Sequence, residues 1–204
     1  MFSFDSPVFK FLFLVFDVLL VSLLWLLTSL PIVTAGASTT AAYYVIMRRV
    51  SDRENSIIKD YFSAFKSNFI NTTLAFLAIA ALLFVIWLNF VYTSVTGPLS
   101  PVVYGLQILF AIQLVFLLIH VFPLASRFEM KFTELIRSAI VMANKHLITT
   151  LAHILLLYIL ILLCQQLLML YFLAFGPYCW VSSYMMINIY RKYKPELDKN
   201  EEEE

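Results

Sequence analysis

The chain has 204 residues, 62% of them hydrophobic and only 13% charged, with a mean hydropathy of +0.87. A soluble domain of ordinary composition is excluded, and an integral membrane protein is expected. The formal charge of +1 balances 14 basic against 13 acidic residues, so it supports no nucleic-acid role and leaves the positions of the charges to carry the information.

Phe9–Leu30 is the first expected span, longer than a signal-peptide core and without a convincing cleavage site, so a retained N-terminus is expected. Pro31 lacks a donor and biases Leu30 away from helical geometry, which predicts a turn there. A second, short span over Ile32–Arg48 follows, about 24 Å long and rich in small residues around Gly36 that suit close helix packing. In the basic connection after it, Ile57, Ile58, Tyr61, Phe62 and Phe65 recur at helical spacing opposite Lys59, Ser63 and Lys66, which predicts an interfacial amphipathic helix.

Phe69–Tyr92 and Val102–Phe122 are the third and fourth spans, joined by an uncharged turn containing Gly97-Pro98 and Ser100-Pro101. Pro123 is expected to end the fourth, before a second amphipathic segment over Arg127–Lys145. Leu147–Leu173 is the fifth span, Gly176-Pro177 the next turn, Tyr178–Tyr190 a short sixth span, and residues 195–204 an acidic tail. The fold class is therefore all-α, a single-domain polytopic bundle of six spans arranged as three hairpins.

Charge placement orients this bundle. With a cytoplasmic N-terminus, the three turns carry no Lys or Arg and all 14 basic residues lie inside, as do both termini. Thr72-Thr73-Leu74-Ala75 and Thr149-Thr150-Leu151-Ala152 open helices three and five alike, a weak sign of a repeated hairpin.

The run Leu24-Trp25-Leu26-Leu27-Thr28-Ser29-Leu30-Pro31-Ile32-Val33-Thr34-Ala35-Gly36-Ala37-Ser38-Thr39-Thr40-Ala41-Ala42-Tyr43-Tyr44 resembles the signature of the YesL family, bacterial integral membrane proteins of undefined activity. Asp60–Phe69 and Phe122–Glu129 resemble it too, so the similarity extends over nearly the whole chain. The resemblance implies a bacterial plasma-membrane location and an association with carbohydrate uptake or polysaccharide degradation. It supplies no catalytic residues.

Among individual residues, Asp17 stands out, because a carboxylate within an apolar helix must face protein or water. Two roles fit it: an ion pair with Arg48 or Arg49 that locks the first hairpin, or proton or substrate handling. Asn68, Asn71, Thr72, Thr73, Gln107, Gln113, Gln165 and Gln166 form a polar set able to line a cavity or to join helices. Trp25, Pro31, Thr34, Gly36, Ser38, Thr39, Pro123 and Arg127 are further candidates for function or packing, and Ser38 lacks the His or Lys that a nucleophile needs in its hairpin.

His120, His146 and His153 have no neighbouring carboxylate to orient a ligand, and Cys164 and Cys179 form no CxxC pair, so no metal, cofactor or disulfide is expected. Walker, dinucleotide and HExxH motifs are absent from the sequence. The expectation is a non-enzymatic membrane accessory protein whose partners are the lipid bilayer and a carbohydrate transporter or membrane sensor, with no nucleic acid. The alternative is a small secondary transporter or channel with a polar path near Asp17, Gln107, Gln113 and His153.

Overall fold

A computed structural model describes residues 7–51, 56–92, 99–164 and 168–193. Their secondary structure is helical, without strands among the described residues: α1 (Pro7–Ser29), a 3₁₀ turn (Ile32–Thr34), α2 (Ala35–Val50), α3 (Ile57–Tyr92), α4 (Ser100–Arg127), α5 (Phe132–Lys145), α6 (Leu147–Cys164) and α7 (Leu168–Tyr190). The acidic tail, Gln165 and Gln166 lie outside the described residues.

Helix α1 stops at Ser29, as Pro31 requires. Thr34 secures the turn: its N–H donates to the Pro31 carbonyl at 2.7 Å, and its hydroxyl reaches the Thr28 and Pro31 carbonyls, occupying acceptors that the helix end leaves open. The chain returns as α2, so that Trp25 faces Thr39 and Asp17 faces Arg49 across the hairpin. None of the residues of α2 is exposed. It touches α1, α3, α4 and α7, and its small side chains let them close around it.

The expected break between an interfacial helix and the third span does not occur. α3 runs unbroken for 36 residues, about 54 Å. The polar stretch stays helical because Ser67 and Asn68 bond back to the Ala64 carbonyl and Thr72 to that of Asn68, satisfying the side chains locally. Tyr61, expected at an interface, is fully buried, with its hydroxyl 2.7 Å from Thr28 Oγ1.

Both later prolines also depart from expectation. Pro123 lies inside α4, which continues to Arg127, with the Ser126 hydroxyl bonded to the Pro123 carbonyl at 2.7 Å. Pro177 lies inside α7, so the chain does not turn at Gly176-Pro177, and Leu168–Leu173, expected in the fifth span, lie in the same helix as the expected sixth. The reason is Ser22 of α1. A proline at 177 removes the donor for the Leu173 carbonyl, and the Ser22 hydroxyl lies 3.2 Å from that oxygen, sharing its one proton with the Val18 carbonyl at 3.0 Å. The same Ser22 Oγ accepts the Gly176 N–H at 2.9 Å. A neighbouring helix thus satisfies backbone groups that would otherwise be orphaned in an apolar setting.

Helices α1, α3 and α4 are each long and apolar enough to cross a membrane, and the α5–α6 pair, bent by 92°, is a fourth candidate. α2 is shorter, at 16 residues, and enclosed by protein. Exposed Phe, Leu, Ile and Val side chains cover the outward faces of α1, α3, α4 and α6, a surface suited to lipid tails rather than water.

Candidate functional site

Three polar features interrupt this apolar body. The first closes the initial hairpin. Arg49 Nη2 lies 2.7 Å from Asp17 Oδ2, and the two side chains are 30% and 15% exposed. Of the two arginines expected near Asp17, Arg49 therefore reaches it, while Arg48 donates to the Tyr44 hydroxyl at 2.8 Å and lies over that ring. Higher in the hairpin, Trp25 donates to Thr39 Oγ1 at 3.1 Å and stacks on Phe175. Ser38 gives its hydroxyl to the Thr34 carbonyl, and its own carbonyl accepts from Tyr61. Gly36 faces the Thr72 carbonyl and lets α2 and α3 meet backbone to backbone.

The second feature is a buried network across α2, α4, α6 and α7. His153 Nδ1 lies 2.7 Å from the Thr149 carbonyl, which can only accept, so the neutral ring carries its proton there. Nε2 then accepts from Ser182 Oγ at 2.8 Å, and Ser182 accepts from the Tyr43 hydroxyl at 2.9 Å. Alongside, His120 Nε2 meets Thr150 Oγ1 at 2.8 Å, and Thr150 reaches the Ala143 and His146 carbonyls. His120 Nδ1 has no partner, although the residue is buried. Of the residues named for the alternative polar path, His153 has no hydrogen bond to Asp17, Gln107 or Gln113 among the described residues. Gln107 Oε1 and Gln113 Nε2 are instead buried singly.

The third feature is open: a cleft of about 510 Å³ between the first turns of α3, the end of α4 and residues 128–130. Its lining includes Tyr44, Ser63, Asn68, Asn71, Ser126, Arg127 and Glu129, and Asn71 donates to the Met130 carbonyl at 3.2 Å. Asn68 and Arg127, far apart in sequence, are brought together here, whereas Pro123 sits buried within α4 as a packing residue. Away from the cleft, between α5 and α6, burial lowers the pKa of His146, and the charges of Lys145 and Lys192 push it in the same direction.

Ser22, Tyr43, Thr150 and Ser182 were not singled out from sequence. The only available signal was a small or phenolic hydroxyl on a buried helix face, which most such residues share.

No group of three metal-ligating side chains converges among the described residues, and the buried Cys179 is unpaired. The histidine network is enclosed by protein, whereas the cleft is open. No curated protein and no solved structure matches the chain. Residues 18–90, which hold most of α1, all of α2 and nearly all of α3, match the model of a family described as a protein of unknown function, DUF624, a family of uncharacterised bacterial membrane proteins.

Proposed function

We propose that this chain is a non-enzymatic accessory protein of the bacterial plasma membrane that binds a polar segment of a partner membrane protein in the cleft between α3, α4 and residues 128–130. The observation that carries this reading is the cleft itself: about 510 Å³ lined by hydroxyl, amide and paired-sign ionic groups, at one end of an otherwise apolar bundle. Such a lining offers directional hydrogen bonds to peptide or side-chain groups beside a smaller apolar part at Phe128 and Met130, which favours a polar partner segment. The charge asymmetry of the connections favours a multi-pass topology with both termini, and hence the cleft, in the cytoplasm. The resemblance to the YesL family is the sole ground for taking the partner to be a carbohydrate transporter or sensor.

The second reading, a small secondary transporter, draws on the buried Tyr43-Ser182-His153 chain, a conceivable internal polar path. Against it, the enclosed helix α2 occupies the centre of the packing, where a conduit would run. Ser67→Cys carrying a photoreactive thiol reagent, introduced in native membranes, tests the two. The accessory reading expects a discrete protein adduct that Ser63→Trp, which fills the cleft, abolishes. Absence of an adduct, together with solute flux by the chain reconstituted alone in liposomes, would overturn it.

A further inference from the structure

A second cavity, separate from the polar cleft, lies between α3, α4 and α5 and encloses about 440 Å³. Its walls are Ala78, Leu82, Leu114, Leu117, Ile136 and Ile140; Thr133 and Arg137 border it through their carbon atoms, so the groove itself is apolar and any polar contact lies at its edge. These two stand four apart on α5, so they project from one face of that helix. Both are exposed, and Arg137 has no ion-pair partner among the described residues.

We infer that this groove is a binding site for an anionic phospholipid, with an acyl chain along α3 and α4 and the phosphate on Arg137 and Thr133. Three observations lead there. The apolar wall is continuous with the exposed Leu74, Leu77, Ile112 and Val115 of α3 and α4, so the groove opens onto the surface that faces lipid tails. α5 turns 92° from α6; with α6 as the crossing part of that bent pair, α5 would run along the membrane surface and hold Thr133 and Arg137 toward the headgroups, beside the apolar wall. A guanidinium offers a planar fork of donors that matches a phosphate, and the adjacent hydroxyl adds another donor. A peptide occupant would leave backbone groups unsatisfied against the apolar walls, whereas an acyl chain leaves none.

Native mass spectrometry of the full chain in detergent doped with equal phosphatidylglycerol and phosphatidylcholine tests the site. One phosphatidylglycerol should be retained preferentially. Arg137→Gln should cut that preference about tenfold, the scale of one charge-assisted hydrogen bond. Lys59→Gln, an exposed charge change elsewhere, should leave it intact, and Ala78→Phe, which fills the groove, should expel both lipids. Equal retention of the two lipids, an equal loss with Lys59→Gln, or unchanged retention with Ala78→Phe would each overturn the inference. So would full competition by inorganic phosphate alone, which would make the site one for the free anion. Should Ala78→Phe not fold, the comparison of Arg137→Gln with Lys59→Gln decides, since both residues are exposed.

Discussion

Gly36→Ala adds a single methyl group to the helix around which the others are packed. A Cβ built there meets the Thr72 carbonyl oxygen, lies 2.8 Å from Phe76 Cβ and 3.0 Å from the Thr72 carbonyl carbon. Two of these contacts are with α3 backbone, so no rotamer change relieves them; the helices must separate by several tenths of an ångström. Overpacking of this kind costs about 3 kcal/mol at the upper end of the usual range. Alanine returns about 1 kcal/mol through its better helix propensity. The net loss is therefore about 2 kcal/mol, which for a chain of this size lowers Tm by about 4–8 °C. Thermal unfolding in a mild detergent, followed by tryptophan fluorescence, reads it because Trp25 of α1 is hydrogen-bonded to Thr39 of α2. An unchanged or raised Tm would refute the reasoning, since it would mean that α2 and α3 do not approach at Gly36. Gly105, where a Cβ meets nothing within 4 Å, supplies the control: Gly105→Ala should be neutral or slightly stabilising.

Three further outcomes follow from the packing. Asp17→Asn and Arg49→Gln should each lower Tm, and the double variant should lose less than their sum, with a coupling of about 1 kcal/mol for this partly buried pair; strict additivity would remove its locking role. Ser22→Ala leaves the Leu173 carbonyl and the Gly176 N–H without that partner and should cost about 2 kcal/mol in thermal unfolding, more than Ser29→Ala at the helix end; equal effects would show that the Pro177 region is satisfied otherwise. Ser182→Ala leaves His153 Nε2 without its partner and the Tyr43 hydroxyl with Tyr178 alone, whereas Tyr43→Phe removes one donor and leaves the Ser182–His153 bond in place. The serine change should therefore be the more destabilising of the two, by about 1 kcal/mol, in the same assay, and the reverse order would contradict the donor directions assigned here.

Much of the candidate chemistry could be read from residues without a structure. An aspartate amid apolar residues needs a partner wherever it lies, and Arg48 and Arg49 were the cations that a hairpin around Pro31 could return to its level; Arg49 takes that place. The cleft was only partly legible. Asn68 and Arg127 were singled out separately, but nothing in local pattern places the first turns of α3 beside the end of α4. The histidines show the same limit. His153 looked like a member of a polar path, yet its partners Ser182 and Tyr43 come from α7 and α2.

Residue chemistry alone sets the class of the protein and the places where the backbone has no alternative. Hydropathy sets the helical, membrane-suited character, since an apolar backbone must satisfy its own hydrogen bonds, and Pro31 stops α1 because no neighbour extends the helix past it. Tertiary structure decided the rest of the helix boundaries. Pro177 carries the same local signal as Pro31, but Ser22 of another helix takes up the groups it orphans, and α7 runs on. The polar start of α3 likewise stays helical and buries Tyr61 because Thr28 and Ser38 stand opposite its hydroxyl. A proline or a polar run states a local demand, and whether the helix ends there depends on which distant side chain can meet it.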